Sequence, residues 1–171
     1  MVRPWHEILR PDGTRLCGPF LGVEHTCLLD TSGSFTIFVR DFTGVYTGNY
    51  HLYLQRLNPP VGCVNIASGA YSATGIIVQV AEANCFTFYG AAGEWIYRRV
   101  VRTSGTLTPY HEILRPDGTL LCGPYVIAQQ VCLLDTSGIH TILVRDFPGP
   151  GTGNFTVYLY RAYLYLPLLL R

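Results

Sequence analysis

Two copies of one hexapeptide carry the strongest hint of chemistry in the chain. Leu28-Leu29-Asp30-Thr31-Ser32-Gly33 returns as Leu133-Leu134-Asp135-Thr136-Ser137-Gly138, and paired apolar-apolar-Asp-Thr-Gly loops are how a bilobal aspartic protease makes two carboxylates share a proton. That chemistry needs Gly directly after Asp-Thr, so that backbone approaches the carboxylate, and here Ser intervenes. Asp30 and Asp135 therefore read as turn aspartates that accept bonds from nearby backbone N–H groups. His6-Glu7 and His111-Glu112 are the next candidates, as metal ligands. Neighbours on a strand point to opposite faces, so each copy supplies one ligand to any single site. His25, His51 and His140 are replaced in the other copy by Gln130, Thr156 and Phe35, which argues against a shared histidine mechanism. There is no Gly-x-Ser-x-Gly elbow, phosphate loop or dinucleotide fingerprint. The expectation is a protein without enzyme activity, with no catalytic residues, no cofactor and no metal.

The six cysteines are more informative. Cys17 and Cys27 recur as Cys122 and Cys132, each pair ten residues apart near the facing ends of consecutive strand candidates, where a hairpin-like return brings Cα atoms within disulfide reach. Pairing them leaves Cys63 and Cys85 as the third bridge by elimination. Buried free thiols are the alternative. Disulfides without any Cys-x-x-Cys pair point to an oxidising compartment and an extracellular or cell-surface location.

The elements that must position these residues are organised by a repeat. Residues 5–57 return at 110–162 with a constant offset of 105, no gap and 33 of 53 positions identical. The stretch 58–109 occurs once and opens on Leu57-Asn58-Pro59-Pro60, which reads as an extended linker because the paired prolines remove two ladder donors. The simplest reading is a module of about 105 residues in tandem. Residues 58–109 are its front half, 110–162 its back half, and 1–57 a second back half; 163–171 form an apolar strand or tail. One front half cannot complete both back halves.

Strand signals run through both halves. Phe35–Arg40 and His140–Arg145 alternate with period two, as do Tyr50–Arg56 and Phe155–Arg161. The front half offers 74–80, 84–89 and 94–101, rich in branched and aromatic residues. Arg10-Pro11-Asp12-Gly13 places Pro second and Gly fourth, as a type I turn prefers. Many short strands separated by turn residues predict an all-β chain, an antiparallel, jelly-roll-like β-sandwich with one complete module plus a half module.

The Ser104–Pro109 segment, the Pro-Asp-Gly-Thr turn, Asp-Thr-Ser-Gly followed by Thr-Ile-x-Val, and Thr-Gly-Asn-Tyr-x-Leu resemble the bacterial pre-peptidase C-terminal domain family. The resemblance covers about 58–160 as one module and 5–57 as half of another. It implies a secreted β-sandwich that acts in binding, solubility or assembly. Some members bind calcium through clustered acidic loops; here Asp12, Asp30, Asp41, Asp117, Asp135 and Asp146 stand singly, and calcium is not assigned.

Composition narrows the partners. Net charge is +1, all twelve basic residues are Arg and none is Lys, and only Arg98 and Arg99 are adjacent, so no patch can neutralise a run of phosphates. Nucleic acid is excluded as a partner. The longest apolar run, 160–170, is broken by Arg161 and Pro167 and is too short for a spanning helix. If Ile37, Val39, Leu52 and Leu54 face inward, then Phe38, Tyr53 and Gln55 face outward, as do Leu143, Tyr158 and Tyr160 in the second copy. With Tyr163 and Tyr165 of the tail, this gives an expected contact face of Phe38, Tyr53, Leu143, Tyr158, Tyr160, Tyr163 and Tyr165. The leading expectation is a structural subunit of an extracellular filament or sheath, self-assembling when neighbouring chains complete the half module. The rival is a secreted adhesion module that binds carbohydrate or a surface through its tyrosines, and a third reading takes the chain as an excerpt of a longer tandem array.

Overall fold

The computed structural model describes residues 1–22, 24–66, 71–126, 128–147 and 150–162. All regular structure among them is β, and the chain divides into two compact units, residues 1–51 and 52–171. The tail expected over 163–171, with Tyr163 and Tyr165, lies outside the described residues.

The first unit is one three-stranded antiparallel sheet. β1 (Pro4–Leu9) pairs on one side with β2 (Arg15–Leu21) and on the other with β3 (Thr36–Asp41). The predicted turn joins β1 to β2: Gly13 N–H donates to the Arg10 carbonyl at 2.9 Å, and Asp12 accepts the Thr14 N–H at 2.9 Å. None of the described residues of this unit is fully buried.

The second unit is a sandwich. One sheet has the order β4-β6-β11-β8-β9, from β4 (Val64–Asn65), β6 (Ala83–Gly90), β11 (Gly138–Asp146), β8 (Pro109–Leu114) and β9 (Leu120–Tyr125). The other has the order β10-β7-β12-β5, from β10 (Gln129–Leu133), β7 (Trp95–Arg102), β12 (Gly153–Ala162) and β5 (Ser72–Ile77). Among the described residues every strand pairing of this unit is antiparallel except the two-residue pairing of β4 with β6, which is parallel, and the unit is the all-β antiparallel sandwich expected. The inner faces meet through Phe86, Phe88, Ile142 and Val144 on one side and Ile96, Val100, Phe155 and Val157 on the other. Period-two alternation along each strand delivers these residues to a common interior.

The topology explains why one back half forms all of its strands and the other only three. The first unit's order β2-β1-β3 copies β9-β8-β11, three strands that bond to one another, of which β11 also pairs with the front-half strand β6. β10 and β12 instead flank β7, a front-half strand. Their copies, residues 24–28 and 48–56, form no strand. This corrects the strand expected over Tyr50–Arg56: its alternation is right, but the β7 partner that bonds to its counterpart is not present in that half.

Two further expectations change. Leu143 is not on a contact face; it is 4 % exposed and packs with Cys85 and Leu114 beneath Leu57 and Cys63. Its cover is the segment read as a linker. Asn58 Nδ2 donates to the Asp117 carbonyl at 3.2 Å and Leu57 bridges Pro60, so 57–63 folds back over the outer face of the five-stranded sheet, stapled by Cys63–Cys85. The boundary between units therefore falls at 51/52, ahead of the 57/58 division drawn from the repeat.

Candidate functional site

Disulfides join Cys17 to Cys27, Cys63 to Cys85 and Cys122 to Cys132. Cys122 lies on β9 and Cys132 on β10, so this bridge ties the two sheets of the sandwich together. Its copy, Cys17–Cys27, tethers a segment that has no strand. Three such bridges belong to an oxidising, non-cytoplasmic environment.

Both units carry the same hairpin slot. His6 on β1 stands opposite Phe20 on β2, and His111 on β8 opposite Tyr125 on β9. Beyond each pair the ladder shifts register at a glycine: Gly18 has φ +100° and Gly123 φ +111°, and a Cβ there would meet the backbone of the facing strand at 3.0 Å. Only glycine makes this bulge without strain. The bulge leaves the two rings tilted alike, with centroids 5.7 Å and 51° apart for His6–Phe20 and 6.5 Å and 58° for His111–Tyr125.

In the second unit an arginine fills the slot. Arg98 of β7 is fully buried, its Nε donates to His111 Nδ1 at 2.8 Å, and its Cζ stands 5.3 Å over the Tyr125 ring. Nη1 has no hydrogen-bond partner. Burial lowers the guanidinium pKa to about 10, so it stays charged at neutral pH. In the first unit, where β7 has no copy, His25 lies against Phe20 instead, with centroids 3.6 Å apart and 15° between planes, and 6.0 Å from His6. Burial, followed by the charge of His25, lowers the His6 pKa. An imidazole acceptor beside an aromatic face suits a planar cation.

The first copy of the repeat exposes what the second buries. Leu29 is 52 % exposed and its copy Leu134 0 %; Tyr50 is 51 % exposed and Phe155 0 %; Leu52 is 53 % exposed and Val157 0 %. Val39 and Tyr50, copies of core residues, line a shallow cleft of about 230 Å³ with Val2, Pro4 and Tyr46.

The expected turn role of Asp30 and Asp135 is replaced by an ion pair. Asp30 accepts Arg10 Nε and Nη2 at 3.0 and 2.8 Å, and Asp135 accepts Arg115 at the same distances. These bonds hold both carboxyls below the usual range. Backbone capping falls to other aspartates, among them Asp41, which takes the Arg3 N–H at 2.8 Å together with the Thr43 hydroxyl and is held far below the ordinary carboxylate value. Among the described residues no three His, Cys, Asp or Glu side chains gather into a metal-binding group.

Of the expected contact residues, Phe38 and Tyr53 are exposed, each in a different unit. Tyr160 is exposed and Tyr158 half-buried. The Tyr160 ring lies 6.0 Å from Tyr71, 5.9 Å from Tyr97 and 6.4 Å from Tyr158, a cluster on the outer face of the four-stranded sheet. Tyr71, Tyr97 and Arg98 were not singled out from the sequence. For Arg98 a signal exists, because Ile96-x-Arg98-x-Val100 puts it on the buried face.

No family model matches the chain, and no curated protein matches it. Solved structures similar to it include PliG of Aeromonas hydrophila, a periplasmic inhibitor of g-type lysozyme, at 16 % identity over 57 % of this chain and 97 % of that one, TM-score 0.40. Another is the pre-peptidase C-terminal domain of collagenase from Bacillus anthracis, at 13 % identity over 60 % of this chain and 99 % of that one, TM-score 0.44.

Proposed function

We propose that this is a non-enzymatic structural protein of the extracellular space, whose open first unit is closed by a neighbouring polypeptide so that chains join into a filament or sheath. The observation that supports this is the contrast between copies: Leu29, Tyr50 and Leu52 are wet where Leu134, Phe155 and Val157 are fully covered. Burying a large apolar side chain is worth about 2 kcal/mol, so the open face gains several such increments on closure.

Light scattering after size exclusion, with negative-stain microscopy, tests this. Regular polymers at micromolar concentration are the expected result. A monodisperse monomer whose residues 1–57 resist hydrogen exchange overturns the proposal.

A second reading rests on the tyrosine cluster around Tyr160, a platform for sugar stacking in an adhesion module. Retention of a monomer on insoluble polysaccharide, abolished by Tyr160→Ala, favours that reading over assembly.

A further inference from the structure

We infer that the slot between His6 and Phe20 receives an arginine from the strand that closes the first unit, so that the partner is a β7-like strand with one inward guanidinium between two inward branched apolar residues. This rests on the reading that the first unit is closed by another polypeptide, and it specifies the chemistry of the closing strand.

The chain carries its own template. β7 lies between β10 and β12, presents Ile96, Arg98 and Val100 to the interior, and seats Arg98 against His111 Nδ1 and the Tyr125 ring. The first copy repeats the residues that receive this strand, though not the strands that flank it. His6 and Phe20 keep the tilt of His111 and Tyr125, the Gly18 bulge copies Gly123, and the copies of both flanking strands, 24–28 and 48–56, have no strand pairing. His25 stacks on Phe20 at 3.6 Å, the ring whose counterpart, Tyr125, carries the guanidinium. Its copy is Gln130, paired with Arg98 across β10 and β7. An incoming arginine displaces the His25 ring and takes His6 Nδ1 as its acceptor.

The apolar neighbours alone do not select this partner. A strand with leucine at the central position covers Leu29 and Tyr50 equally well but leaves the His6 acceptor buried without a donor, which is costly. The slot therefore discriminates in favour of a planar cation.

The test adds a second copy of residues 58–109 directly before Trp5, the position that segment holds before Tyr110, with the rest of the chain intact. Hydrogen exchange follows residues 24–28, 36–41 and 48–56, and ¹⁵N spectra follow the His6 and His111 rings. The expected result is protection of all three segments and a His6 spectrum that converges on that of His111. Arg98→Met in the added copy alone is expected to accelerate exchange in those segments about tenfold and to abolish the His6 convergence. Protection that Arg98→Met leaves unchanged, without any change at His6, overturns the arginine slot while closure by a front half stands. No protection from the unmodified added copy overturns both.

Discussion

The Arg10 guanidinium forks across the Asp30 carboxylate through Nε and Nη2, and Arg115 repeats the clasp on Asp135 105 residues later. Arg115 Nη1 also donates to the Leu120 carbonyl at 2.5 Å, so one side chain pins the β8–β9 turn and the loop before β11 together. Asp135→Asn removes half of the fork. It is expected to lower the melting temperature of the second unit by a few degrees, read by calorimetry. Because the Asp135 pKa is lowered in the fold, its contribution is present above the unfolded value of about 3.9 and is lost as pH falls below it. The difference between wild type and variant therefore closes in strong acid.

His140 is fully buried, stacks on Phe88 at 5.4 Å, and has no hydrogen-bond partner at Nε2. Burial lowers its pKa, and the Gly138 carbonyl offsets this only in part. The unfolded chain then binds the proton more readily, so stability is full above about pH 6.5 and falls as pH drops toward the folded pKa. His140→Phe, the residue that stands at position 35 in the other copy, is expected to stabilise by about 1 kcal/mol. Urea unfolding at pH 5 and pH 7.5 checks both the gain and the flattened pH dependence.

Gly123→Ala is expected to be severe. The residue needs φ +111°, and its Cβ would meet Glu112 Cα and the His111 carbonyl at 3.0 Å. A cost of about 2 kcal/mol or more follows from backbone strain together with the close approach, measurable by chemical denaturation. Gly118→Ala, with nothing nearer its Cβ position than the Leu57 side chain at 3.2 Å, carries the φ penalty with less crowding and is expected to cost less.

Replacing Cys122 and Cys132 together by Ala opens a link of ten residues between the two sheets. The chain-entropy model gives a loss of about 3 kcal/mol, and the same double replacement at Cys63 and Cys85, separated by 22 residues, gives a slightly larger one. Denaturation of each variant against wild type checks the order.

What the sequence revealed depended on how local the cause was. The turn at Arg10–Gly13 and the alternation of β6, β7, β11 and β12 follow from neighbouring residues, and the repeat singled out the disulfide pairs. The Arg10–Asp30 clasp spans 20 residues, and nothing in either flanking motif announces it. Tyr50–Arg56 has the alternation of β12 but not its partner, because pairing is a property of two strands. Leu143 alternates outward as expected, yet the 57–63 segment roofs it, and paired prolines signalled a linker there. Arg98 was hidden by its type: arginine reads as a solvated side chain until the register shows which face it shares with Ile96 and Val100.

The roof over Leu143 sets the period of the repeat against the unit that folds. Recombination that cuts at Asn58, where the copied text ends, severs Leu57 from the cluster of Cys85, Leu114 and Leu143 and leaves that cluster partly unthatched. A crossover near residue 51 carries the roof along with the sheet it shelters, so modules exchanged at that earlier seam travel whole.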